Sequence, residues 1–178
     1  MTRRWLWLAA ALSAALAVAA VATAAVRPNA KTPQCATFRI TGKVAEREKL
    51  HVDDLRSFTP HTLDVTFQAG SSTQTHHYVG ALLTDVLNAA QPQFDPAIKN
   101  DFLRFWVEAT GSDDYAAIVS WGEIDPNFGG RQVLLAYQED GNDLCTAGPR
   151  LVVPGDLRGG RYVSNVVKVK LGRAGGDD

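Results

Sequence analysis

Apolar and polar residues alternate along Phe38–Val44 and again along His61–Gln68, the period of two that predicts half-buried strands. Between them, Leu50–Leu55 reads as a strand end entering a short helix, with Asp53 or Asp54 near its start. Ala69–Thr75 is small and polar and reads as a turn or loop, and His77–Val79 as a further short extended piece. From Gly80 to Ala90 the pattern becomes that of an amphipathic helix, with Leu82, Leu83, Val86 and Leu87 as its buried stripe. Phe102–Thr110 and Tyr115–Ser120 read as partner strands joined by a turn at Gly111–Asp114. A long loop with a helical turn follows over Trp121–Gly130, then an apolar strand at Val133–Tyr137 and another loop at Glu139–Pro149. A strand at Leu151–Val153, a loop through Pro154-Gly155 and Arg158–Arg161, and a strand at Val163–Leu171 complete the pattern, read as a closing sheet hairpin. The class is α+β, a mixed-sheet domain with a few short helices. It lacks the regular βαβ alternation and early Gly-x-Gly-x-x-Gly of a dinucleotide-binding fold.

The N-terminus follows different rules. Arg3-Arg4 precede an apolar run from Trp5 to Val26, and Ala22-Thr23-Ala24 offers a small-x-small cleavage pattern. Residues 1–24 therefore read as a signal peptide, with an uncleaved membrane anchor as the alternative, since the run is about long enough to span a bilayer. Thr2–Leu6 touches the twin-arginine export pattern, although two arginines before an apolar run also suit an ordinary positively charged leader. On either reading the body of the protein lies outside the cytoplasm: secreted, periplasmic or membrane-anchored and facing outward. Residues 25–36 read as a tether, 37–171 as one domain and 172–178 as a flexible tail.

Charge and cysteines narrow the classes. Removing residues 1–24, which carry two arginines and no acid, takes the formal charge from −1 to −3. With no basic run, nucleic-acid binding is excluded, and membrane contact is confined to the N-terminal segment. Two cysteines in an exported domain point to a Cys35–Cys145 disulfide, the alternative being two unrelated thiols. There is no Cys-x-x-Cys to suggest zinc or thioredoxin-type chemistry.

Candidate chemistry is sparse. Asp125-Pro-Asn127-Phe-Gly-Gly130 reads first as a turn, because Asp and Asn side chains bond local backbone, and second as a loop offering N–H groups to an anion. His76 and His77 are adjacent on an extended piece, so their side chains diverge and do not suit one metal; structural or surface roles fit them better. Asp53-Asp54 and Asp113-Asp114 suit caps and solvated turns, and no Gly-x-Ser-x-Gly elbow supports a hydrolase. Arg150, Arg158 and Arg161 are left as a cationic cluster beside Gly159-Gly160, suited to a small anionic ligand or to surface ion pairs with Asp156 or Glu139.

Five segments in order carry a resemblance: Phe38–Val44, Tyr78–Leu87, Gly122–Gly130, Val133–Gly141 and Arg150–Asp156. Together they resemble the oxidoreductase molybdopterin-binding domain, the catalytic domain type of sulfite oxidases, over nearly all of residues 36–171. The resemblance implies the sulfite-oxidase α+β fold and a molybdenum–pterin cofactor lying against arginine-bearing loops. It makes Arg161 the leading pterin or oxyanion contact. Arg158, Gly159, Gly160, Tyr162, Asn127 and His77 complete the candidate cofactor-binding set. Two departures stand out. Ser164 occupies the place of a cofactor-contacting lysine. Phe67-Gln68-Ala69-Gly70-Ser71 stands where the family places a metal-ligating cysteine, and no cysteine lies between His61 and Gly80. The expectation is an exported relative without standard oxo transfer, with Gln68 or a neighbour at the ligand position. The alternatives are a molybdenum–pterin oxidoreductase with unusual ligation, and a non-catalytic module of the cell envelope that binds a small anion or a protein partner.

Overall fold

A computed structural model describes residues 34–175; the expected signal peptide, most of the expected tether and the last three residues lie outside the described residues. The strands are β1 (Thr37–Gly42), β2 (Lys49–His51), β3 (His61–Ala69) and β4 (Ser72–Leu82), followed by helix α1 (Leu83–Ala89). Then come β5 (Phe105–Gly111), β6 (Ala116–Ser120), the single-turn helix α2 (Trp121–Ile124), β7 (Leu134–Glu139), β8 (Asn142–Asp143), β9 (Arg150–Val152) and β10 (Val166–Arg173). They build two sheets. One has the order β2-β1-β10-β5-β6; the other has β3-β4-β7-β8, with β9 also paired to β7.

Several elements differ from the sequence reading. Ser72–Thr75, expected as loop, extends β4, so β3 and β4 form one long hairpin turning at Gly70-Ser71. Thr75 lies opposite Thr66, with their hydroxyls hydrogen-bonded at 2.8 Å, and such cross-strand pairs stabilise a polar strand as well as an apolar one. Gly80–Leu82, expected to open the helix, pairs instead with Leu134–Ala136 of β7. A Cβ on Gly80 would lie 2.5 Å from the Leu135 carbonyl, so only glycine permits this close strand approach. Asp101–Arg104 is a 3₁₀ turn, and β5 begins at Phe105 rather than Phe102.

The expected closing hairpin is the largest correction. β9 belongs to the second sheet and β10 to the first, where β10 runs parallel to β1 and antiparallel to β5. Residues 153–165 therefore cross from sheet to sheet. The expected tail also starts later. Gly172 and Arg173 still pair with β5, and Arg173 donates to the buried Asp101 carboxylate at 2.7 Å. At the other end, Cys35 is buried and Ala36 N–H donates to the Cys145 carbonyl, so the packed domain begins before Thr37.

Strand alternation splits the interior in two. Leu135 and Tyr137 of β7, with Val133 just before it, face the main core with Phe38, Val107, Val169, Leu83 and Leu87. Leu134 and Ala136 face the other way, joining Val65, Phe67, Tyr78, Val152 and Tyr162. Each fully buried Leu, Val or Phe contributes about 1.5–3 kcal/mol, so the larger cluster carries most of the stability. The smaller one is the floor of the candidate site. Cys35 and Cys145 are disulfide-bonded, with Cα atoms 4.6 Å apart, fastening the start of the domain to the loop after β8. No helix among the described residues is long and apolar enough to cross a membrane.

Candidate functional site

The connector 153–165 leaves β9 through Pro154-Gly155, with Gly155 at φ +87°, a left-handed turn suited to glycine. It then lies across the end of β3. Gln68 N–H donates to the Leu157 carbonyl at 2.9 Å, and Gln68 bridges to Arg158. Gly159 sits on the Phe67 ring, where an added Cβ would come within 2.8 Å of the ring edge. Tyr115 OH donates to the Gly160 carbonyl from β6's side of the fold. Tyr162 turns inward and stacks on Phe67, centroids 4.3 Å apart, and lies beside Tyr78 at 6.5 Å.

Two ion-pair systems flank this stack. In the first, Arg161 grips Asp156 through Nε (2.8 Å) and Nη2 (2.7 Å), and its Nη1 reaches Glu123 at 3.2 Å. Arg131 joins both acids, at 3.2 Å from Asp156 and 3.5 Å from Glu123. The Arg161 hydrogen bond holds the Asp156 carboxyl below the usual carboxylate range. Burial pushes Glu123 upward, but the Ser120 N–H and Arg161 outweigh it and the net shift is downward. The Asp156 hydrogen bond in turn raises Arg161. Two cations and two anions close on each other, leaving Arg161 as an internal strut.

In the second system, Arg150 Nη1 donates to both Glu139 oxygens at 2.9 and 2.8 Å, and Tyr78 OH donates to Glu139 at 2.8 Å. Burial, then the bond to Glu139, raises the Tyr78 hydroxyl well above the ordinary phenol range. Burial also raises Tyr162, whose hydroxyl is buried without a hydrogen-bond partner among the described residues. Arg150 Nε shares that condition. A 420 Å³ cleft opens between the β3–β4 turn and the connector, lined by Phe67, Gln68, Gln74, Arg150, Arg158 and Gly159-Gly160 among others.

The candidate residues separate into those this region gathers and those it does not. Arg158, Gly159 and Gly160 line the cleft, and Tyr162 packs beneath it on Phe67. Arg161 lines a second opening along the connector with Gly155–Arg158, its guanidinium occupied by carboxylates. Asn127 stands apart: its N–H donates to Asp125 Oδ1 in a side-chain-stabilised turn beyond α2. His77 is turned outward onto Asp64 at 2.6 Å, and His76 instead lies near Phe67, 5.7 Å between centroids. His76 Nδ1, Glu139 and Asp140 approach within 4.8 Å of one another, but Glu139 is held by Arg150 and Asp140 by His76 (2.7 Å) and the His77 N–H (2.8 Å). That is an ion-pair network rather than an open ligand set. The ion pairs expected of the arginines with Glu139 and Asp156 are both present, Arg150 to Glu139 at 2.8 Å and Arg161 to Asp156 at 2.7 Å, whereas the sequence pattern gave no site role to Phe67, Gln74 or Tyr78. The alternation of β3 and β4, continued through the polar Ser72–Thr75, is the signal that places Phe67, His76 and Tyr78 on one face.

The oxidoreductase molybdopterin-binding domain family matches residues 24–174, and the chain belongs to that family. Among solved structures, the sulfane dehydrogenase SoxCD from Paracoccus pantotrophus superposes with a TM-score of 0.60 at 20% identity, over 79% of this chain and 39% of that one. That likeness is one of fold, and this chain spans well under half the length of its solved neighbour. A comparison with curated proteins finds no match. Family membership makes molybdopterin the reference ligand against which the site's residues are weighed.

Proposed function

We propose that this protein is an exported member of the molybdopterin-binding-domain family that does not carry out standard oxo transfer and uses its remaining cleft to bind a small anion. The observation that carries the reading is the state of the sulfur atoms. The chain has two cysteines, and they are bonded to each other. The family resemblance implies a cysteine thiolate on the metal, and a neutral carboxamide does not supply the charge of that ligand. Gln68, at the end of β3 where the family places its cysteine, has its backbone N–H committed to the connector. Arg161, the residue best placed by resemblance to meet a pterin phosphate, is neutralised by Asp156 and Glu123. The residues present therefore do not fit the family's metal–pterin group, and no step is routed through it. Export is supported by the apolar N-terminal run and by the disulfide, a bond that persists in oxidising compartments.

The test is molybdenum and pterin analysis of the full chain secreted from a host that makes the cofactor, with the mature N-terminus read by mass spectrometry. The expected result is a folded, disulfide-bonded protein with neither molybdenum nor pterin, its N-terminus cut near Ala24. Stoichiometric molybdenum would replace this reading with a genuine oxidoreductase of unusual ligation. One observation favours a protein partner as a second reading: Leu157 is 88% exposed at the connector's crest, with Ile118 at 54% and Tyr115 at 50% on neighbouring β6 and its turn. Cross-linking at Leu157 in the native envelope tests it.

A further inference from the structure

We infer that the outward face of the first sheet is a docking surface for a bilayer rich in anionic lipid. The inference does not depend on what the cleft holds. Phe38 and Ile40 of β1 and Val169 and Leu171 of β10 fill the main core, so the alternate residues Arg39, Lys168 and Lys170 point away from it. Lys49 of β2 and Lys168 of β10 lie in register with Arg39, one on each side. Three cations thus form a row across three strands, spaced by about 4.8 Å, with Lys170 on the same face of β10. Of the four, only Lys168 meets an acid among the described residues, Glu108 at 3.6 Å. Read along its length, the sequence holds no basic run, which confines membrane contact to the N-terminal segment. The fold assembles such a run from residues 39, 49, 168 and 170.

Charge, shape and the chain leading into the face select the occupant. Four cations against one acid stand here on a chain whose formal charge without residues 1–24 is −3. Like charges side by side on neighbouring strands destabilise one another, and a plane of phosphates relieves the whole row at once. Adjacent strands of one sheet present a broad surface, which suits headgroups arrayed in a plane. Trp106 packs on the bare Gly172 backbone, and Lys170 Nζ lies 5.5 Å from its ring centroid. An amphipathic indole beside an ammonium is the pairing that bilayer interfaces favour. Val167, 41% exposed at the bulge in β10, adds an apolar side chain next to Lys168. Residues 25–33, which lead toward β1, carry Arg27 and Lys31 and no acid, so they add charge of the same sign. Each cation brought to an anionic bilayer is worth about fivefold in binding.

The experiment sediments the exported protein with vesicles of phosphatidylcholine alone, and with vesicles of equal parts phosphatidylcholine and phosphatidylglycerol. Expected is binding at least tenfold stronger to the mixed vesicles, falling steeply as salt is raised. Arg39→Gln with Lys49→Gln, both at exposed sites, weakens that binding at least tenfold. Arg39→Lys with Lys49→Arg keeps the charges and keeps the binding, and circular dichroism checks the fold of each variant. Equal binding to the two vesicles overturns the assignment, as does a Gln pair that binds as tightly as the unchanged protein. Capture of soluble polyglutamate with no binding to the mixed vesicles also overturns it, and makes the partner an acidic polymer.

Discussion

Arg161 and Asp156, five residues apart, are joined by two parallel hydrogen bonds of 2.8 and 2.7 Å that close the connector on itself. The pairing turns a residue that resembles an anion contact into one that sets the loop's shape. Arg161→Ala is expected to destabilise the fold by about 1–3 kcal/mol, since the part-buried Asp156 and Glu123 would be left to share Arg131 alone. Urea unfolding measures this. Asp156→Asn with Arg161→Gln should lose less than the two single changes summed, because the pair is lost only once.

The same acids set a pH dependence. Asp156 and Glu123 are held below their ordinary values in the fold, so their contribution is present above the unfolded carboxylate range and lost as pH falls through the folded values. The urea midpoint should be flat down to about pH 5 and then drop through and below about pH 4. Asp156→Asn should flatten that drop; an unchanged acid limb would show that other carboxylates govern it.

Cys35 and Cys145 lie 110 residues apart in the chain, and a bridge of that span restricts the unfolded ensemble strongly. The double Cys→Ser variant should lose about 5 kcal/mol by the loop-entropy argument. Denaturation with and without reductant gives the difference, and a null result would mean that the unfolded chain is already compact.

Phe67 is the hub of the cleft floor, touching Tyr162, His76 and Gly159. Phe67→Ala should cost about 3–5 kcal/mol and release Tyr162, visible as lost near-UV circular dichroism. Gly159→Ala should cost about 1–3 kcal/mol through overpacking on the ring.

Alternation revealed β1 and most of β3 because those strands bury one face, and the helical stripe of α1 because Leu83, Val86 and Leu87 all turn inward. It failed at Ser72–Thr75, where both faces are polar and cross-strand threonines hold the strand. It failed again at β9 and β10, since an apolar run says that a strand is buried and nothing about which sheet receives it. The cleft was half legible. Gly159, Gly160 and Arg158 are local to one loop, whereas the partners that neutralise Arg161 include Glu123, 38 residues earlier. Local pattern cannot show that a charge is already answered from elsewhere in the chain.

The Cys35–Cys145 bond also makes a covalent ring of everything from β1 to β8. A pull on the N-terminus, as from a membrane to which that end stayed attached, would pass through the sulfurs to Cys145 and on toward β10, leaving β1 to β8 unstretched. A single proteolytic cut inside the ring would likewise leave the molecule in one covalent piece. The mechanical domain is thus shorter than the folded one: the length free to extend runs only from Thr146 onward, through the connector that roofs the cleft.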